Sequence, residues 1–186
     1  MQRTAAGLRL RIGTALGSGL AAGDSLAVNG VCLTVVTAGE MHVACDVGPE
    51  TARVTTLGAL QKGEALNLER PMRADGRVGG HFVQGHVDGT GRLTRIREDG
   101  DARWVTVSFS EALAPYLISK GSVAGDGISL TVASRAESAF DVMIVPFTWA
   151  QTNLPGRRAG DQVNLECDMI GKYVARAIEV AQGVRR

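Results

Sequence analysis

The sequence predicts an all-β protein made of two copies of one small barrel followed by a C-terminal helix. Three observations carry that prediction: an internal repeat at a fixed offset of 97 residues, short segments that alternate with period two, and 24 glycines in 186 residues. Glycine is thus about 13% of the chain against roughly 7% on average, with no repeating triplet or Ser/Pro-rich tract, so the glycines mark tight turns between short strands.

The repeat is ungapped. Ser25 to Glu69 aligns with Ser122 to Glu166 with 15 identities in 45 positions. Pro49, Thr51, Thr55, Leu57, Gly63, Asn67 and Glu69 return as Pro146, Thr148, Thr152, Leu154, Gly160, Asn164 and Glu166. Fixed-offset self-similarity is the signature of a duplicated structural unit. The expected units are 1–78 and 79–168, joined near Pro71 to Gly80, with 169–186 as a terminal helix and tail. A domain of half this length buries only about 60% of its unfolded surface, so each copy needs an interface.

Within each copy, Leu8 to Ile12, Ala65 to Glu69 and Val105 to Phe109 alternate with period two, and Val31 to Val36 is β-branched and mostly apolar. The second copy adds a leading strand at about Val83 to Ile96. Subtracting 97 places its counterpart before Met1, so the first barrel is expected to lack that strand and to carry an unpaired edge. Two stretches read as helical. One is Ser110 to Ile118; the other sets Met169, Ile170, Tyr173, Val174, Ala177, Ile178 and Ala181 on one stripe, away from Lys172, Arg176 and Glu179. That stripe fits either packing on its own barrel or self-association.

Charge and cysteine usage exclude several classes. Twenty Lys+Arg against 19 Asp+Glu leave a net charge of +1, scattered in mixed pairs, which offers no basic patch for nucleic acid. Cys32, Cys45 and Cys167 are far apart and odd in number, so neither a disulfide framework nor a zinc site is indicated, and reduced thiols in a cytoplasmic protein are expected. Arg9 and Arg11 interrupt the N-terminal apolar run, and no stretch approaches the ~18 residues of a membrane span. His81 and His86, five apart, fall on opposite faces of a regular strand, so no metal site is expected. An imidazole beside a pocket can move a proton, but one satisfied by backbone at a glycine bend is the commoner case. Cys32 stands where the second copy has Ser129, before Thr34 and Thr131, which fits either a duplicated pocket edge or a small buried side chain. Asn164, Glu166 and Asp168 share one face of a regular strand, where carboxylates serve acid/base work or merely line an exposed edge.

The strings Val28-Asn-Gly-Val-Cys-Leu-Thr-Val35, Pro49-Glu-Thr51, Asn67-Leu-Glu-Arg70, Gly79-Gly-His-Phe-Val-Gln-Gly-His-Val-Asp-Gly89, Lys120-Gly-Ser122, Asp126-Gly-Ile-Ser-Leu-Thr-Val132 and Asn164-Leu-Glu-Cys-Asp168 closely resemble riboflavin synthase of the type with two lumazine-binding repeats. The resemblance runs from about Leu8 to Ala181. It implies tandem six-stranded Greek-key barrels and a helix that assembles a homotrimer. It also implies transfer of a four-carbon unit between two molecules of 6,7-dimethyl-8-ribityllumazine, giving riboflavin and 5-amino-6-ribitylamino-uracil, with no cofactor and no metal. A non-catalytic lumazine or flavin carrier is the alternative, and the resemblance admits lumazine synthase as a protein partner. Carried over by position, the catalytic polar groups are Ser25, Cys32, His86 and Asp168. The first pocket takes Val31, Leu33 and Thr34 with the segment Cys45, Asp46, Val47, Gly48, Pro49, Glu50 and Thr51. The second takes Gln84, Gly85, Lys120, Ile128, Ser129, Leu130 and Thr131 with Val145, Pro146, Phe147, Thr148, Trp149 and Ala150. The chain departs from the family at its opening Met-Phe-Thr-Gly-Ile strand and at Phe147, where His or Glu is common.

Overall fold

The computed structural model describes residues 2–4 and 7–183; positions 1, 5 and 6 of the first expected unit and 184–186 of the last lie outside the described residues. The first repeat contains β1 (Gln2–Thr4), β2 (Gly7–Gly13), β3 (Ser25–Val28), β4 (Val31–Gly39), β5 (His42–Val47), α1 (Pro49–Val54) and β6 (Leu68–Glu69). The second contains β7 (Gly89–Asp99), β8 (Ala102–Ser108), β9 (Ser122–Gly125), β10 (Ile128–Arg135), β11 (Ala139–Ile144), α2 (Pro146–Ala150) and β12 (Gln162–Cys167), followed by α3 (Met169–Ala181).

Alternation explains the strands. In β4, Val31, Leu33 and Val35 are buried while Cys32 and Thr34 face outward. Leu26, Val28, Val43, Val47 and Leu57 complete the first core, and Val123, Val132, Val142, Ile144 and Leu165 anchor the second. The turns Asn29-Gly30 and Asp126-Gly127 hold φ of 45° and 73°, and 47° and 81°. Left-handed values at both central residues close a two-residue hairpin with the right-handed twist of its strands, which is why Asn-Gly and Asp-Gly recur at the repeat offset.

The strand orders are β1-β2-β5-β4-β3-β6 and, closed into a barrel, β10-β11-β8-β7-β12-β9. β1 pairs with β2 as β7 pairs with β8, and the repeat offset carries it onto positions 99–101, the end of β7 and its turn. β7 has eleven residues and joins β8 to β12, whereas β1 has three and pairs with β2 through Gln2 opposite Arg9. The first sheet is therefore open between β1 and β6 among the described residues. Among the described residues the first sheet thus carries only the end of the leading strand that the second barrel has in full.

Three local expectations are corrected. The leading strand starts at Gly89, because His81, Gln84 and Gly85 bond to side chains and to the other repeat, and sheet pairing begins only where the Asp88 N–H meets the Leu165 carbonyl. Ser110 to Ile118 forms only a 3-10 helix, Glu111–Tyr116, with Pro115 lacking the donor an α-helix needs. Periodicity missed α1 and α2, which are too short for it; each starts at a proline whose fixed φ suits a first helical position.

The repeats meet at their twin turns. A Cβ on Gly30 would come within 2.5 Å of the Gly127 nitrogen, and one on Gly127 within 2.9 Å of the Gly30 nitrogen. Around this contact Asn67 donates its backbone N–H to Asn29 Oδ1 (2.8 Å) and its Nδ2 to the Asp126 carbonyl (3.0 Å), while its Oδ1 accepts from the Asn153 N–H (2.7 Å). Asn164 repeats the pattern: its N–H to Asp126 Oδ1 (2.8 Å), its Nδ2 to the Asn29 carbonyl (2.8 Å), its Oδ1 from the Thr56 N–H (2.8 Å). Each repeat thus completes the other's turn. Truncating Asn164 strands the Thr56 N–H and the Asn29 carbonyl in the interior, at about 1–3 kcal/mol for each unpaired group. Asn164→Ala is expected to lower the unfolding free energy in urea by about 2–4 kcal/mol, against about 0.5 or less for Glu69→Ala, whose side chain is exposed.

Candidate functional site

Pairing sets two equivalent outer faces. On the first repeat Ser25 lies opposite Thr34 and Ala27 opposite Cys32; on the second Ser122 lies opposite Thr131 and Ala124 opposite Ser129. The next strand adds Glu69 beside Ala27 and Glu166 beside Ala124. Each face is therefore a serine, an alanine, a Cys or Ser, a threonine and a glutamate in the same register.

The segment joining the repeats crosses both faces. His81 sits on Ser129, with Nδ1 2.8 Å and the backbone N–H 3.3 Å from Oγ. The Gln84 and Gly85 N–H groups donate to the two Glu166 carboxylate oxygens at 2.8 and 2.9 Å. The Gly85 carbonyl then accepts the Cys32 N–H at 2.9 Å. Glycine is required twice: a Cβ on Gly80 would collide with Ser129 Oγ, and Gly85 holds φ +82° where a Cβ would collide with Cys32. This strap and the two faces enclose a cleft of about 410 Å³ whose lining includes Ser25, Cys32, His81, Gln84 and Ser129. That volume suits a ligand of a few rings.

A family model described as "Lumazine binding domain" matches residues 2–71 and again 84–168, one match on each repeat. The chain belongs to the lumazine-binding family. Its relatives include "Riboflavin synthase" of Bacillus subtilis, 45% identical over 159 residues and covering 86% of this chain and 74% of the relative. "Riboflavin synthase" of Brucella abortus is 40% identical over 176 residues, covering 91% and 87%. Among solved structures, LumP complexed with riboflavin superposes with a TM-score of 0.79 at 23% identity, covering 86% of this chain and 87% of that one. At that identity the likeness concerns the fold.

Within this lumazine-binding architecture the expected site residues divide. Ser25, Cys32, Thr34, Ser129 and Thr131 share the twin outer faces, and Gln84 and Gly85 belong to the strap. His86 follows on the exposed side of Gly85. Lys120 sits at φ +66°, where the first repeat has Gly23 at +95°, and its N–H closes on the Val132 carbonyl. Asp168 caps α3, accepting the Ile170 N–H at 3.0 Å, because β12 ends at Cys167 and does not carry the alternation onward. The side chains of Val31, Leu33, Cys45 and Val47 lie in the first core, since inward alternation buries them; Ile128 and Leu130 pack half-buried against the second. Asp46 is held by Arg9 through two bonds of 2.6 and 2.8 Å. Gly48, Pro49, Glu50 and Thr51 form the start of α1, where Glu50 pairs with Arg53. Val145, Pro146 and Phe147 are exposed, Phe147 at 76%, while Trp149 lies under the Arg103 guanidinium at 4.7 Å. Thr148 accepts at its carbonyl from Thr152, and Ala150 borders a separate groove beside Asn153.

Sequence reasoning missed His81, Ser122 and the clamping role of Glu166. Ser122 and Glu166 could have been found by applying the repeat offset to Ser25 and Glu69; His81 has no partner in the first repeat and left no such signal. Among the described residues no group of three His, Cys, Asp or Glu could hold a metal ion.

Burial dominates the electrostatics. It pushes the Cys45 thiol up to about 11, with Asp46 adding to the shift, and the Cys167 thiol up to about 12, with Asp88 adding. Cys32 is exposed. Iodoacetamide at pH 8 should therefore label Cys32 alone in the native chain and all three cysteines after denaturation, as read by peptide mass mapping. Burial also lowers His81, partly offset by Asp168 and then Glu166. Its folded value lies below its unfolded one, so the unfolded state takes up the proton first as pH falls. This contribution to stability is complete above the unfolded value near 6.5 and declines below it. A urea midpoint series from pH 8 to pH 5 should show a flatter acid limb in His81→Asn than in wild type.

Proposed function

We propose that this chain is a riboflavin synthase that takes two molecules of 6,7-dimethyl-8-ribityllumazine, one on each repeat, and transfers a four-carbon unit between them. The observation that carries this reading is the duplicated face: Ser25, Ala27, Cys32, Thr34 and Glu69 against Ser122, Ala124, Ser129, Thr131 and Glu166 in identical register. A reaction between two identical molecules calls for two equivalent surfaces, and a duplicated domain supplies them. The riboflavin synthase relatives support the same assignment. The two binding modules are the expected units 1–78 and 79–168, a division supported by the family matches over 2–71 and 84–168.

The chemistry asks little of any one side chain. A methyl proton leaves one ring, the second ring accepts the carbon nucleophile, and protons return as the adduct breaks. Holding both rings in contact replaces a bimolecular encounter and can lower the barrier by up to about 7–11 kcal/mol. Ser25, Cys32 and Thr34 bind at one ring, Ser129, Thr131 and Lys120 at the other, with Gln84, Gly85, His86 and Asp168 at the border. The two rings meet across chains. Ile170, Tyr173, Val174 and Ile178 of α3 are 51–71% exposed, an apolar stripe that supports self-association, and the homotrimer and cytoplasmic location belong to the riboflavin synthase reading.

Incubation with dimethylribityllumazine should generate flavin absorbance at the expense of the lumazine band. A stoichiometric spectral shift without turnover would establish a carrier instead. Cys32→Ala and Ser129→Ala should each lower kcat/KM by about tenfold or more. Ser134→Ala, at the far end of β10 and bonded to Asp141, should retain the wild-type rate.

A further inference from the structure

The repeats offer equivalent faces, but the strap treats them differently. At Cys32 it contributes a backbone carbonyl to a backbone N–H, which leaves the thiol untouched. At Ser129 it contributes an imidazole to the side chain itself, at 2.8 Å. His81 also donates its backbone N–H to the same Oγ, which occupies one lone pair of that oxygen.

The proton between His81 and Ser129 has two placements. With hydrogen on Nδ1, the ring donates, and Ser129 is left with its hydroxyl proton free for a ligand. With hydrogen on Nε2, Nδ1 accepts the Ser129 hydroxyl proton, and the serine oxygen keeps only a lone pair. The geometry decides between them. Ser129 Oγ already accepts the His81 backbone N–H at 3.3 Å, and Nδ1 at 2.8 Å is the acceptor in reach of its hydroxyl hydrogen, so the hydroxyl accepts and donates at once.

We infer that His81 is a positioning residue that acts through Ser129: its Nδ1 accepts the hydroxyl hydrogen bond and leaves Ser129 presenting only an acceptor to the cleft. The second face then binds a donor group, such as a ring imide N–H or a ribityl hydroxyl, while the first offers the weakly donating thiol of Cys32. Two chemically identical substrates thereby meet unlike surfaces. This rests on the proposed reaction for its purpose, but its hydrogen-bond content is testable by binding alone.

Riboflavin is the probe, titrated by quenching of its fluorescence from pH 5 to pH 8. His81→Ala should weaken one site about five- to tenfold, the worth of one neutral hydrogen bond, and remove the acid limb of that site. His81→Asn, whose Oδ1 can accept in place of Nδ1 but does not titrate, should recover part of the affinity without the acid limb. Because His81 acts through Ser129, the double variant Ser129→Ala/His81→Ala should bind within twofold of Ser129→Ala. Cys32→Ser should keep the acid limb. Additive losses in the double variant, an acid limb that survives in His81→Ala, or a wild type that binds no riboflavin would each overturn the inference. Riboflavin binding with the expected coupling but no lumazine turnover would leave it standing and remove the proposed reaction instead.

Discussion

The reciprocal bonds of Asn67 and Asn164 are the constraint on which the rest of the molecule depends. Each closes a hairpin turn in its own repeat with its backbone and reaches into the other repeat with its side-chain amide. The groups involved are largely buried, Asn164 at 1% and Asn29 at 0% exposure, so a slip of one repeat against the other would leave several polar groups without partners at once. Polar networks of this kind specify one arrangement because partial satisfaction is worse than none. Two domains too small to be comfortable alone gain a fixed relative orientation, and that orientation places Cys32 and Ser129 on the same cleft.

The network is not fully symmetric. Asn29 and Leu60 in the first repeat become Asp126 and Arg157 in the second, an ion pair at 2.8 Å with Asp126 only 2% exposed at its side chain. Burial drives the Asp126 carboxyl up, and the Asn164 N–H, the Arg157 charge and the Asn153 amide pull it back. An ion pair in such a place contributes little net stability, since desolvation offsets the attraction, but removing one partner strands the other. Its effect is discrimination: the Arg157 charge has a partner at Asp126, which a half-turn of the interface would exchange for the amide of Asn29.

Much of this was legible in the sequence because it is written twice. The repeat offset, the Asn-Gly and Asp-Gly turns, the inward alternation of β4 and the polar positions Cys32 and Ser129 all follow from two copies read against each other. What was not legible belongs to one copy only. The stretch from about Val83 reads as strand, yet Gln84 and Gly85 bond Glu166 and Cys32 as His81 bonds Ser129, and no local pattern announces a pairing between residues about 50 to 80 positions apart. Val31, Leu33, Cys45 and Val47 hold pocket positions in the motif, while period-two burial sends their side chains to the core. Strand geometry separates His81 from His86 and excludes a metal pair, but it cannot announce that His81 meets Ser129.

A duplicated domain solves half of the problem posed by a reaction between two identical molecules, because it supplies two matched surfaces. The other half is to make them unequal, since one ring must lose a proton and carry a nucleophilic carbon while the other accepts it. Divergence of the two faces could achieve this, but Ser25, Thr34 and Glu69 are repeated as Ser122, Thr131 and Glu166. The strap has no such freedom to be symmetric. It is a single segment crossing the pseudo-twofold relation once, so whatever residue it lays on Ser129 cannot also be laid on Cys32. His81 at one end and the backbone of Gly85 at the other are the consequence. The asymmetry the chemistry needs thus comes from the connection that joining two copies in one chain requires.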